Sequence, residues 1–220
     1  MQNTAMVSAT HFSVSQSTDP AVFTNIYDAD INLCVWQREL SKEVTQYSDF
    51  LLNQHPYATE LRLSGNAKEL ELELGNNLPA HNQQQSFISN VGLLAEMLTC
   101  LLGAKAVGLR LCVASKATCP RFHVDKLGCR LITTYRGKAT EWLDNANLDR
   151  TKLGRGAKGQ DDSKTGLYPN SKIIQQLNFG DVALFKGELW PDNEGRGIIH
   201  RSPSLNESER RLFITMDAIT

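Results

Sequence analysis

The rhythm of apolar and polar positions changes near residue 104. Before it, Trp36, Leu40, Val44, Tyr47 and Leu51 recur at steps of three and four, which predicts an amphipathic helix stopped by Pro56. The run LELEL, Leu70 to Leu74, alternates strictly and predicts an edge strand with its glutamates in water. The polar run from Asn76 to Gln85 reads as a loop. Phe87 to Leu102 is apolar nearly all round and reads as a helix buried against a sheet, ended by Gly103. Beyond it Val107, Leu109, Leu111 and Val113 alternate in a first clear strand. Further strand candidates lie near 121–125, 128–135, 140–143, 173–177, 182–186, 197–201 and 211–217.

About eight short strands with turns between them is the count of a jelly roll. The expected fold class is therefore α+β, with a cupin-like double-stranded β-helix core and N-terminal helices packed on it. Residues 1–20, polar and rich in Ser and Thr, are expected to be a flexible tail. Residues 21–220 then form a single domain, mainly helical over 21–104 and β over 105–220. One stretch breaks the strand rhythm: Thr151 to Lys172 is rich in Gly, Lys and Asp with few apolar residues. It is expected to be a solvated, mobile loop, with a functional lid as the alternative.

Composition narrows the partners more than the fold. The chain has 220 residues, 41% hydrophobic and 21% charged, enough for one sizeable core. A net charge of −1 argues against nucleic acid as the main partner, since phosphate contacts need clustered Lys and Arg. The longest apolar run, Val91 to Leu102, is short for a membrane span and contains Glu96. The N-terminus lacks the charged start and apolar run of a secretory signal, so a cytoplasmic location is expected. Five cysteines, odd in number and irregularly spaced, argue against a disulfide framework.

The chemistry concentrates in CPRFHVDKLGCRLITTYRG, residues 119–137. If 121–125 is extended, His123 and Asp125 point to one face. His200 follows GRGII on another strand candidate and supplies a third ligand. Two histidines and one carboxylate cover one face of a six-coordinate metal and leave positions open, the arrangement of non-haem Fe(II) oxygenases. His-x-Asp alone arises often by chance, and a structural role is then the ordinary reading. Context strengthens it, because the pair opens the β region and His200 sits late in it. Cysteines offer a rival: Cys119 would share the face of His123, Cys129 lies four residues after Asp125, and thiolate with imidazole is a zinc donor set. However, the Cys-x-x-Cys spacing of structural zinc sites is absent, and free cysteine is commonly just buried. His11, His55 and His81 lie in polar segments and look incidental, while Trp142 and Trp190 read as packing residues.

Two resemblances follow from these residues. The order His123-Val-Asp125, LITTY, GDVALF (Gly180 to Phe185), His200, Pro203 and Arg210 or Arg211 resembles the prolyl-hydroxylase-like branch of the Fe(II)- and 2-oxoglutarate-dependent oxygenases, over roughly residues 119–217. Across nearly its whole length, through CPRFHVDKLGCRLITTYRG, GDVALFKGE, IIHRSP and RRLFITMD, the chain resembles the bacterial family called domain of unknown function 1826. The first resemblance implies Fe(II) held by His123, Asp125 and His200, with 2-oxoglutarate oxidatively decarboxylated to succinate. It implies a guanidinium for the far carboxylate, Arg211 or Arg210. Arg211 is preferred because it begins the last strand and shares a side with Phe213 and Thr215. Tyr135 and Thr133, on the strand after the site, are candidates to touch the co-substrate, with ordinary core roles as the alternative. The substrate, a small molecule or a protein side chain, is not readable. The second resemblance implies a different role, since its members are similar to proteins found among zinc-responsive bacterial genes: a non-enzymatic zinc- or other metal-binding protein. A β-helix that binds a ligand without catalysis is the third possibility.

Overall fold

Strands extend further toward the N-terminus than the hydrophobic rhythm indicates. The structure is a computed structural model that describes residues 13–54, 58–144 and 148–219. Strands β1 (Ser13–Ser17) and β2 (Ile31–Trp36) run parallel and flank a short 3-10 helix, Pro20–Tyr27, capped by Asp19. Part of the expected tail is thus a sheet edge, and residues 1–12 lie outside the described residues. Trp36 ends β2, so the predicted helix starts only at α1 (Lys42–Gln54), whose buried face is Val44, Tyr47, Ser48 and Leu51. Pro56 and His55 lie outside the described residues.

Strand β3 (Thr59–Gly65) precedes α2 (Ala67–Asn77), and α2 contains the LELEL run. The edge-strand expectation is therefore corrected. Leu70 and Leu74, four apart, are both fully buried on one helix face while Leu72 is exposed. The decisive local signal is Asn66 with Glu69: the Asn66 side chain accepts from the Glu69 N–H, and the Glu69 carboxylate accepts from the Asn66 N–H. Helix α3 (Gln84–Leu102) closes at Gly103, which takes the left-handed conformation at φ +61°. At 19 residues it has the length and apolar character of a membrane span, longer than the sequence suggested, but Phe87, Val91, Leu94 and Leu98 are buried in the protein core.

The remaining strands are β4 (Ala106–Ala114), β5 (Cys129–Arg136), β6 (Glu141–Leu143), β7 (Ile174–Gln176), β8 (Val182–Lys186), β9 (Ile199–Arg201) and β10 (Arg211–Ile219). A seven-stranded sheet runs β1-β2-β8-β5-β10-β4-β3, antiparallel except for β1–β2, and a three-stranded sheet runs β7-β6-β9. The large sheet is two-faced. Leu131, Tyr135, Leu184, Leu212 and Ile214 pack with α1, α2 and α3 in one core. Ile132, Ala183 and Phe185 point the other way and pack with Trp142 of the small sheet and with Ala139 and Ile198, which lead into its strands β6 and β9. The alternation of each central strand thus sends one set of side chains to the helices and the other into the space between the sheets.

The segment expected to be solvated instead forms short helical turns, including α4 (Asp162–Thr165), and buries Leu167 beside Phe122, Leu143 and Ile199.

Candidate metal centre

Residues 121–125 are not a strand. Only His123 pairs, and it pairs with His200: each N–H donates to the other's carbonyl at 3.0 Å. Strand β9 is too short to extend the ladder, and the flanking groups are taken elsewhere. The Phe122 N–H donates to Asp162 Oδ2 at 2.8 Å, and the Asp125 carbonyl accepts from the Glu188 N–H at 2.9 Å. This bridge sets the imidazoles side by side, ring centres 4.5 Å apart.

Asp125 completes the group. His123 Nε2 is 3.8 Å from Asp125 Oδ1, and His200 Nε2 is 3.5 Å from Oδ2. One ligand atom from each of the three lies within 4.8 Å of the others. Each imidazole is oriented through its other nitrogen: His123 Nδ1 lies 2.9 Å from the Arg121 carbonyl and His200 Nδ1 3.2 Å from that of Ile198. An Nδ1–H donated to a carbonyl leaves the Nε2 lone pair free, which is the tautomer a metal requires. Burial, reinforced by the neighbouring His123, pulls His200 down to about 4, so its ring is neutral near pH 7. Two imidazoles and a carboxylate fit a first-row divalent ion. Phe185 covers the His200 ring, 4.7 Å between centres.

Sequence reasoning missed Arg130, five residues after Asp125. Its Nη1 lies 3.0 Å from both Asp125 oxygens, while Nε and Nη2 grip Asp217 as a fork at 2.7 Å each. The carboxylate is thereby aimed and its charge is balanced. Arg130→Met is expected to destabilise the metal-free protein by about 2 kcal/mol, the cost of stranding a mostly buried carboxylate, reduced for partial exposure. A divalent ion should restore more stability to the variant than to the wild type, as thermal melts with and without Mn(II) would show. Equal losses in both conditions would assign Arg130 to Asp217 alone.

The same face of the large sheet carries Arg211, 1% exposed. Its Nη2 donates to Thr134 Oγ1 at 3.0 Å and Thr140 Oγ1 at 3.3 Å, and the guanidinium lies over Phe213. Nε and Nη1 are buried with no protein partner, and burial pulls the group down to about 10. Arg210 turns away, donating to the Leu52 carbonyl of α1 at 2.6 Å. Tyr135 and Thr133 are corrected: β5 points both toward the helices. Tyr135 donates to Asn90 at 2.9 Å and packs on Phe87, both of α3. Their intervening neighbour, Thr134, is the one beside Arg211.

The cysteines do not join the metal-capable group among the described residues. Cys119 is exposed, and Cys129 is buried toward the helices, where desolvation raises its thiol. His81 stacks on Phe50 instead. Asp162 fastens the 148–173 segment beside the site, since it accepts from Phe122, pairs with Arg201 at 3.3 Å and lies 3.6 Å from Arg121.

No curated protein matches the sequence significantly. Among solved structures, the dioxygenase for auxin oxidation 1 of Arabidopsis thaliana, in its 2-oxoglutarate binary complex, is 10% identical with a TM-score of 0.53, over 95% of this chain and 93% of that one. The rice dioxygenase for auxin oxidation is 11% identical at 0.54, over 95% and 83%. A Pseudomonas putida prolyl-4-hydroxylase is 8% identical at 0.50, over 93% and 100%. At these identities the likeness is one of fold. In sequence, the model of the family described as protein of unknown function (DUF1826) matches residues 17–217, and the chain belongs to that family.

Proposed function

We propose that this protein is an Fe(II)- and 2-oxoglutarate-dependent oxygenase, its two facing sheets forming a double-stranded β-helix around the site. Arg211 carries the proposal. A metal-handling protein needs three ligands; it does not need a buried guanidinium with two unpartnered nitrogens on the same sheet face. Burying such a charge without an anion costs several kcal/mol. A dicarboxylate co-substrate removes that cost with its distal carboxylate.

When bound, iron and 2-oxoglutarate supply the oxidising chemistry, in which O2 is consumed and 2-oxoglutarate leaves as succinate and CO2. The chain's residues do the positioning. His123, Asp125 and His200 hold the metal, the Arg121 and Ile198 carbonyls fix the imidazole tautomers, and Arg130 aims the carboxylate. Arg211 receives the distal carboxylate and is itself held by Thr134 and Thr140. Phe185 and Phe213 shield the metal and carboxylate ends from water. The substrate is a small molecule or a protein side chain.

Fe(II) and 2-oxoglutarate added together to metal-free protein without oxygen should produce a weak visible charge-transfer band that neither gives alone. Succinate should appear once air is admitted with substrate. Tight Zn(II) binding without any band would overturn the proposal in favour of metal handling.

A further inference from the structure

The opposite face of the large sheet holds a second buried cation. Lys186 ends β8 in phase with Val182 and Leu184, so it points toward the helices, away from the metal centre, and is only 2% exposed. Its ammonium donates to the Asp28 carbonyl at 2.9 Å and stands 5.2 Å from the centre of the Trp190 ring. Both partners are neutral. Among the described residues no carboxylate lies within ion-pair distance of it. Nor do its thiol neighbours supply an anion: burial pushes Cys34 up to about 12 and raises Cys129 as well.

Lys186 lines a cavity of about 740 Å³, walled also by Tyr27, Leu102, Leu127, Trp190 and Pro191. Tyr27 and Trp190 meet edge to face at 5.3 Å and form an aromatic side. Arg196 lines the same space and adds positive charge, its Nη2 donating to the Ala29 carbonyl at 2.7 Å. Two acids also line it. Asp217 is committed to the Arg130 fork, and Asp192 is exposed at the rim. A mostly apolar chamber lined by a buried ammonium that has no carboxylate within ion-pair distance suits a monoanion on a hydrophobic body.

We propose that this cavity is a binding site for a small apolar carboxylate, its carboxylate on Lys186 and its body against Tyr27, Trp190 and Leu127. The cavity contains none of the three candidate metal ligands, though Asp217, held by Arg130, borders both places; the site does not depend on the oxygenase proposal.

Benzoate and benzamide make a matched pair of probes, alike in shape and different in charge. Titrated into the full-length protein and followed by Trp fluorescence and calorimetry, benzoate should bind saturably and at least about tenfold more tightly than benzamide. Lys186→Met should erase that preference, whereas Arg211→Met should leave it intact. The wild-type comparison stands even if the Lys186 variant folds poorly. Absence of saturable benzoate binding, equal affinity for the two probes, or loss of the preference in Arg211→Met instead would each overturn the site.

Discussion

His200→Ala is expected to lose high-affinity metal binding, with a fall well beyond the roughly 100-fold typical of removing an outer partner of a metal ligand. The substitution leaves an imidazole and a carboxylate, and it removes the most buried of the three ligands. Calorimetric titration of the apo-protein with Mn(II), beside far-UV circular dichroism to confirm folding, checks this. The backbone bridge to His123 uses only main-chain atoms, so it survives the substitution and the fold should persist. Removing the ring leaves space beside Phe185, for which a loss of about 2–3 kcal/mol in stability is expected. Unchanged metal affinity in a folded variant would place the ion elsewhere.

Arg211→Met should separate binding from stability in a way few core substitutions do. Methionine is unbranched and apolar like the arginine stem and has no charge to desolvate, so the apo-protein should be as stable as the wild type or more so, as when buried ionic groups are replaced by apolar ones. Affinity for 2-oxoglutarate should nevertheless fall by about 100-fold or more, the scale for removing one partner of a buried charge pair. Mn(II) affinity should be unaffected, since Arg211 contacts none of the ligands. Melting temperature, Mn(II) titration and 2-oxoglutarate titration on one preparation test all three parts. A strongly destabilised variant would mean that Arg211 serves the fold through Thr134, Thr140 and Phe213. Unchanged 2-oxoglutarate binding would remove the observation on which the oxygenase proposal rests.

What the sequence disclosed was chemistry more than geometry. His123, Asp125, His200 and Arg211 stand out by residue type and order, and the structure brings the first three together with Arg211 on the same sheet face. Direction was harder. Alternation says that Thr133 and Tyr135 share a side but not which side, and the neighbours that decide it, Asn90 and Phe87, lie on a distant helix. The register of β5 against β10 also shifts between Leu212 and Phe213, which no local pattern announces. LELEL fits a strand by period two and a helix by its i, i+4 leucines. The Asn66–Glu69 capping box decides between them and was there to be read. Strands β1 and β2 escaped because β1 is polar and half-exposed while β2 is buried on both faces, so neither alternates cleanly. The Arg130 chain from Asp125 to Asp217 joins β5 to β10 and was invisible for the same reason as the Thr134 contact: it exists only once the strands are paired.

The reciprocal hydrogen bonds between His123 and His200 make the candidate metal centre depend on long-range pairing. The two residues are far apart in the chain, and their pairing requires the small sheet to have docked on the large one. A nascent or misfolded chain therefore presents single histidines with weak affinity for metal, and the three-ligand grip arises only when the surrounding structure is complete. Any local opening that parts these two backbones separates His200 from the His123 and Asp125 pair, so an ion held by all three would lose its most buried ligand at once. Such an arrangement would make tight binding of an ion here conditional on a complete fold, without a separate loading device.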